Sequence, residues 1–304
     1  VPGAYTVFAC AGEVTADGLK KLVVRNPVAG YSYVFVPVAS DGGTDVRLTI
    51  SPVSVTANEW NGAQGSAWAT ADNWGLGVPT SAQNAVFPST ASTKAVTVAS
   101  DGSVQGLSFA GDYTLSGGSL TFLYALAASF GTTTVATPMT ANGNVSFNVS
   151  TGAAVEITGT LSSVYAVAGK SGAGRLSLAG NNTGFTGLWT VDGGLLDQKH
   201  PNALGATDSR LAAVTLVSGT LGYSGCAGGA VARGLTLATG GDTAYAILSA
   251  DRDVTYSQGF NASSGLLIKR GAGAVTLELP AGLFNLATGT KNTPAGMGAV
   301  SLSS

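Results

Sequence analysis

Short runs of alternating apolar and polar residues recur along most of the chain, and nearly every run ends at glycine or asparagine. From about residue 94 they include Ala95-Val96-Thr97-Val98, Val104-Gln105-Gly106-Leu107-Ser108-Phe109, Tyr113-Thr114-Leu115 and Leu120-Thr121-Phe122. Val145-Ser146-Phe147-Asn148-Val149, Val155-Glu156-Ile157 and Leu176-Ser177-Leu178 continue the pattern, followed by Ala213-Val214-Thr215-Leu216, Leu235-Thr236-Leu237, Leu266-Leu267-Ile268 and Val275-Thr276-Leu277-Glu278-Leu279. A period of two sends alternate side chains to opposite faces of a strand, one set inward and Ser, Thr or Asn outward. Clusters repeating every ~20–24 residues mark a solenoid, each cluster one turn of a coil. The pattern predicts an all-β chain whose residues 94–304 form a parallel β-helix of roughly nine turns. The stretch from Tyr124 to Phe130 fits a short helix or a buried strand.

The first 57 residues read as a separate β-rich segment. Its four apolar runs cover residues 4–8, 22–24, 31–36 and 46–50, divided by turn signals such as Ala16-Asp17-Gly18, Asn26-Pro27 and Asp41-Gly42-Gly43. The third run is the most apolar and is expected at the centre of its sheet. Residues 58–93 differ again, because Trp60, Trp68 and Trp74 fall within 15 positions among Asn, Asp and Gly. Three such indoles either plug the open end of the coil or form a stacking platform for sugars. The plug is the expected role, since a solenoid needs its terminal turn covered.

Composition narrows the class. Of 304 residues 44 are glycine, 45% are hydrophobic and 10% are charged, which is the reverse of a disordered chain. The glycines follow no three-residue period, so collagen is excluded. Net charge is −2 and the 14 Lys and Arg are scattered, so no nucleic-acid or anionic-membrane footprint is expected. No apolar run reaches the ~20 residues of a membrane-spanning helix. The opening Val1-Pro2-Gly3 has no Met and no charged signal region, and reads as the interior of a longer protein. Cys10 and Cys226 are expected as buried thiols, with a disulfide left open.

A longer motif is more specific. Gly172-Ala173-Gly174-Arg175-Leu176-Ser177-Leu178-Ala179-Gly180-Asn181-Asn182-Thr183 is followed by Phe185-Thr186-Gly187 and Trp189-Thr190-Val191-Asp192-Gly193-Gly194-Leu195. A partial copy runs Leu267-Ile268-Lys269-Arg270-Gly271-Ala272-Gly273-Ala274-Val275-Thr276-Leu277. These residues resemble the autotransporter-associated β-strand repeat of bacterial passenger regions, over perhaps two thirds of the chain. The segment from Trp60 through Asn73-Trp74 to Pro79 resembles the lead-in before such repeats, which would make residues 1–57 the close of a preceding unit. The resemblance implies a right-handed parallel β-helix on a bacterial surface. Leu188-Trp189 departs from it, standing where the family has small or polar residues. Asn181, Asn182 and Asn202 are suited to bonding the turn backbone or stacking on adjacent turns.

Candidate chemistry is sparse. His200 is the one histidine, so a Ser-His-Asp triad would have to use it, yet no Gly-x-Ser-x-Gly elbow occurs. The carboxylate pairs Asp192/Asp197, Asp251/Asp253 and Glu13/Asp17 sit in turn-like sequence where Asp caps its own backbone. Gly240-Gly241-Asp242 lacks the nonapeptide period of a calcium-binding coil. Arg233, Arg252 and Tyr256 read as ordinary surface residues. No catalytic residue, cofactor or metal site is therefore expected. The chain reads as a non-catalytic structural or adhesive segment of a secreted or surface-displayed bacterial protein. Its expected partners are host or neighbouring-cell glycans or proteins, or further copies of itself. The alternatives are a carbohydrate-binding or carbohydrate-active β-helix module that uses Trp60, Trp68 and Trp74, and a self-assembling surface-layer or fibre subunit.

Overall fold

A computed structural model describes residues 1–14, 19, 22, 24, 31–52, 55–163, 167–205, 213–225, 229–231, 233–238, 245–256, 260–264, 266–278 and 300–303. The N-terminal segment contributes β1 (Gly3–Cys10), β2 (Tyr31–Ser40) and β3 (Gly43–Pro52). They form an antiparallel sheet in the order β1-β3-β2. The expected central run, residues 31–36, instead lies in the edge strand β2. The tight turn at Asp41-Gly42 folds β3 back on β2, and β1 then takes the free side of β3. Val34 and Val36, the apolar residues that suggested a central position, are 50% and 37% exposed.

Parallel pairing starts with β4 (Thr56–Glu59), β5 (Gln83–Phe87), β6 (Ala95–Phe109) and β7 (Tyr113–Ala128). On one face Ala57, Asn84, Gly106, Ala125, Ser146, Gly169, Thr190, Thr215, Thr236 and Asn261 lie each beside the next. Parallel strands ~4.8 Å apart in this ten-strand stack place its ends about 43 Å apart. The chain is thus a parallel β-solenoid. Several predicted short runs merge, because β6 and β7 bend around corners without leaving the ladder. Tyr124 to Ala128 belongs to β7, which resolves the ambiguity of that stretch as strand.

The interior follows from period two. Leu107, Leu126, Phe147 and Val191 are buried, while outward neighbours such as Ser108 and Ser146 keep partial exposure. Trp189 is fully buried between Ala168 and Val214 and donates its indole N–H to the Leu204 carbonyl at 3.2 Å. The small Ala168 makes room for the large ring, so the departure from the repeat pattern is absorbed inside the coil.

The repeated motif is a corner. At 172 and 271 glycine has φ of +75° and +81°, a conformation that L side chains resist. A Cβ there would strike the carbonyl oxygen of Val149 or Ala250 on the preceding coil. Two residues on, Gly174 and Gly273 donate their N–H to those same carbonyls at 2.8 and 2.9 Å. The two copies therefore share one geometry, fixed by a single backbone hydrogen bond between coils.

Gly172→Ala is expected to destabilise the chain by about 3 kcal/mol or more, since a backbone clash adds to the cost of positive φ. Gly152→Ala meets open space at φ +78° and should cost only about 1–2 kcal/mol. Urea unfolding followed by circular dichroism separates the two, and equal losses would refute the corner account.

Candidate functional site

The three indoles singled out by sequence lie inside. Trp60, Trp68 and Trp74 are 0%, 3% and 4% exposed, in edge-to-face contacts of 5.0 Å (Trp60–Trp74) and 4.7 Å (Trp68–Trp74). Phe87 joins them at 5.6 Å from Trp74 and stacks on Phe109 at 4.8 Å, extending the cluster down the lumen. Trp60 and Trp74 donate their N–H groups to the carbonyls of Thr93 and Trp68 at 2.7 and 2.8 Å. With rings enclosed and both of these donors satisfied, Trp60, Trp68 and Trp74 offer no face to a sugar. They plug the first coils, and the stacking platform is set aside on burial.

Three cations that sequence reading left on the surface, or passed over, also point inward. Lys170 is fully buried and donates to the carbonyls of Ser171, Gly172 and Gly193 at 2.9, 2.8 and 3.1 Å. Lys269 occupies the matching place in the second motif copy and donates to Gly271 at 2.5 Å. Arg233, expected outside, is fully buried and donates to the carbonyls of Gly187 and Phe185 at 2.6 and 3.2 Å. A tight corner aims carbonyls into the lumen where no strand can pair them, and an unpaired buried carbonyl is costly. Long cationic side chains supply the missing donors. Burial pulls Arg233 down to about 10 and Lys170 down to about 8, so both remain charged at neutral pH.

Asn182 serves the same end without charge. It is fully buried, accepts the Leu161 N–H at 2.7 Å and donates to the Ala203 carbonyl at 2.6 Å, spanning three coils. Asn202 donates to Oδ1 of Asn181 on the adjacent coil at 3.1 Å. Tyr256, also read as a surface residue, is fully buried and accepts a hydrogen bond from Gln198 at 3.0 Å. Burial raises its hydroxyl far above the ordinary tyrosine range, against the opposing pull of Gln198.

Asp192, Asp197 and Asp253 among the candidate acids, and the candidate base His200, hold hydrogen bonds within the chain. Asp197 is buried beneath Arg175 at 2.5 Å and accepts from Ser224 at 2.6 Å. Lys199 reaches across to Glu156 at 2.7 Å. Asp192 is exposed and accepts from Ser218 at 3.0 Å, and Asp253 accepts the Ala274 N–H at 2.8 Å. His200 accepts the Asn202 N–H on Nδ1 at 3.0 Å. That bond places the ring proton on Nε2, the atom a triad base needs free to take a proton. Asp17, Asp242 and Cys226 lie outside the described residues, and Cys10 is a half-buried free thiol.

A concave feature lies on the outer face of β5, β6 and β7. A cavity of about 190 Å³ is lined by Val55, Asn84, Gln105, Gly106, Ser108, Tyr124 and Ala125. Its floor is the Asn84–Gly106–Ala125 row of the ladder. A Cβ at 106 would lie 2.6 Å from Oδ1 of Asn84 and 2.9 Å from the Ala125 carbonyl, so glycine lets the amide lie flat there. Asn84 donates to the Ser108 hydroxyl at 2.9 Å. The pairing shifts between Val104 and Gly106, where Leu123 and Tyr124 oppose Gln105 alone. Such a bulge re-aims side chains, here Gln105 and Tyr124, at the rim of the cavity. Sequence reading missed this place because nothing in the alternation of 104–109 and 120–126 reveals an extra residue in one strand.

Comparison with protein-family models, curated proteins and solved structures finds no match to the chain. No group of three metal-ligating side chains occurs among the described residues, and no helix there is long and apolar enough to cross a membrane.

Two measurements follow. Phe87→Ala should cost about 3–5 kcal/mol in urea unfolding by emptying the centre of the plug, and a loss under 1 kcal/mol would place the cluster outside the core. Lys170 has a folded pKa below its ordinary value of 10.5, so from pH 8 upward the unfolded chain holds the extra proton. Its contribution to stability is therefore lowest below pH 8 and rises between 8 and 10.5. Unfolding midpoints across that window should show a rise that Lys170→Met removes.

Proposed function

We propose that the chain is a non-catalytic, rigid β-solenoid segment of a large secreted or surface-displayed bacterial protein, acting as a stalk or interaction surface. The observation that carries this reading is the unbroken parallel ladder from Ala57 to Asn261. Each coil is bonded to the next by backbone groups at regular rises, which suits a spacer that resists bending. The use of ionisable groups supports the same reading. Lys170, Arg233 and Lys269 bond corner carbonyls, Asp197 lies under Arg175, and His200 holds its own turn. The bacterial surface address draws on the resemblance of residues 172–195 to the passenger repeat.

Small-angle scattering of the purified chain is expected to give a rod-like cross-section, with strands stacked over about 43 Å. Incubation with panels of polysaccharides and peptides is expected to leave them intact. Defined cleavage products that disappear in Asp192→Asn or Asp197→Asn would replace this reading with an enzymatic one.

A further inference from the structure

We propose that the cavity between Asn84, Gln105, Ser108 and Tyr124 binds one neutral sugar ring, as a free saccharide or the terminal residue of a glycan. The inference deepens the reading of the coil as an interaction surface and rests on it only for biological context, because the site is argued from its own geometry. At about 190 Å³ the cavity is smaller than the roughly 300–1,000 Å³ of sites for larger ligands, and it suits a single ring.

The lining decides the ligand class. None of the seven lining residues is charged, so phosphate, sulfate and carboxylate ligands find no cation to pair with. Two amides and two hydroxyls each donate and accept, which matches a ligand whose own hydroxyls do both. Oε1 of Gln105 is shielded from water and accepts no hydrogen bond within the chain. A buried acceptor left unpaired costs free energy, and turning the Gln105 amide toward the cavity lets a ligand hydroxyl recover it. Tyr124 is half-buried beside it and supplies an aromatic wall for the apolar face of a ring. The bulge that sets Leu123 and Tyr124 against Gln105 puts the wall and the unpaired acceptor side by side. A peptide strand is disfavoured as occupant, because the backbone groups of β5, β6 and β7 are already engaged with neighbouring coils.

The test is binding of the full chain to an array of neutral and anionic saccharides, with titration calorimetry on each hit. Neutral glycans are expected to bind, and Tyr124→Ala and Gln105→Ala are each expected to weaken binding roughly 3–10-fold, in line with a lost ring contact or hydrogen bond. Gln105→Glu keeps the shape but places a charge at the acceptor, and should also weaken neutral ligands. Thermal melts of each variant, compared with the parent chain, identify any loss of fold, and Tyr124→Phe offers a second variant with the ring retained. Absence of any neutral ligand, binding to anionic glycans alone, or unchanged affinity in folded Tyr124→Ala and Gln105→Ala would each overturn the site. None of these results would alter the rod-like scattering, so the site and the stalk fail separately.

Discussion

The backbone hydrogen bond between one coil and the next is the constraint on which the rest of the molecule depends. It obliges every coil to present a strand in the same place, so the residue at each position of the ladder has a counterpart one coil away. It also obliges the chain to turn sharply without losing contact, and that turn is where sequence freedom ends. Gly172 and Gly271 meet the same demand a hundred residues apart, each facing a carbonyl of the coil below while the N–H two residues on bonds it.

Sharp corners create a second requirement. Carbonyls turned into the lumen have no strand partner and no water, and the chain answers with Lys170, Lys269, Arg233 and Asn182. Each is a polar side chain in a place that an apolar core would fill, and each donates to backbone carbonyls. This explains how a chain with so few charges buries several of them: the cations complete corner hydrogen bonds. It also leaves few ionisable groups disposed for chemistry, which bears on the proposed stalk role. The open end of the lumen is closed differently, by indoles and phenyl rings packed edge to face.

Much of the fold was legible in the chain. Alternation in runs such as 145–149 and 155–157 gave strands with the correct inward set, because burial on one face of a strand imprints period two directly. The Trp60/Trp68/Trp74 cluster and the Asn181/Asn202 pair were readable for the same local reason. The order of the N-terminal sheet was not, since apolarity suggested residues 31–36 for the centre while a hairpin turn and one further pairing placed β3 there. Lys170 and Arg233 were also misplaced or overlooked, because a cation inside a coil has the same sequence signature as one outside. The cavity at Gln105 and Tyr124 was invisible, as it depends on one extra residue in β7 relative to β6.

By itself, then, the sequence determined the period, the inward faces and the glycine corners, all of which are properties of a few adjacent residues. Only the tertiary structure decided which carbonyl each buried cation meets, which strand is central, and where a bulge opens a polar hollow. Apart from the bonds of Lys170 and Lys269 to carbonyls one or two residues on, those outcomes depend on pairs of residues roughly a coil or more apart, and their contact is fixed by the register of stacked strands.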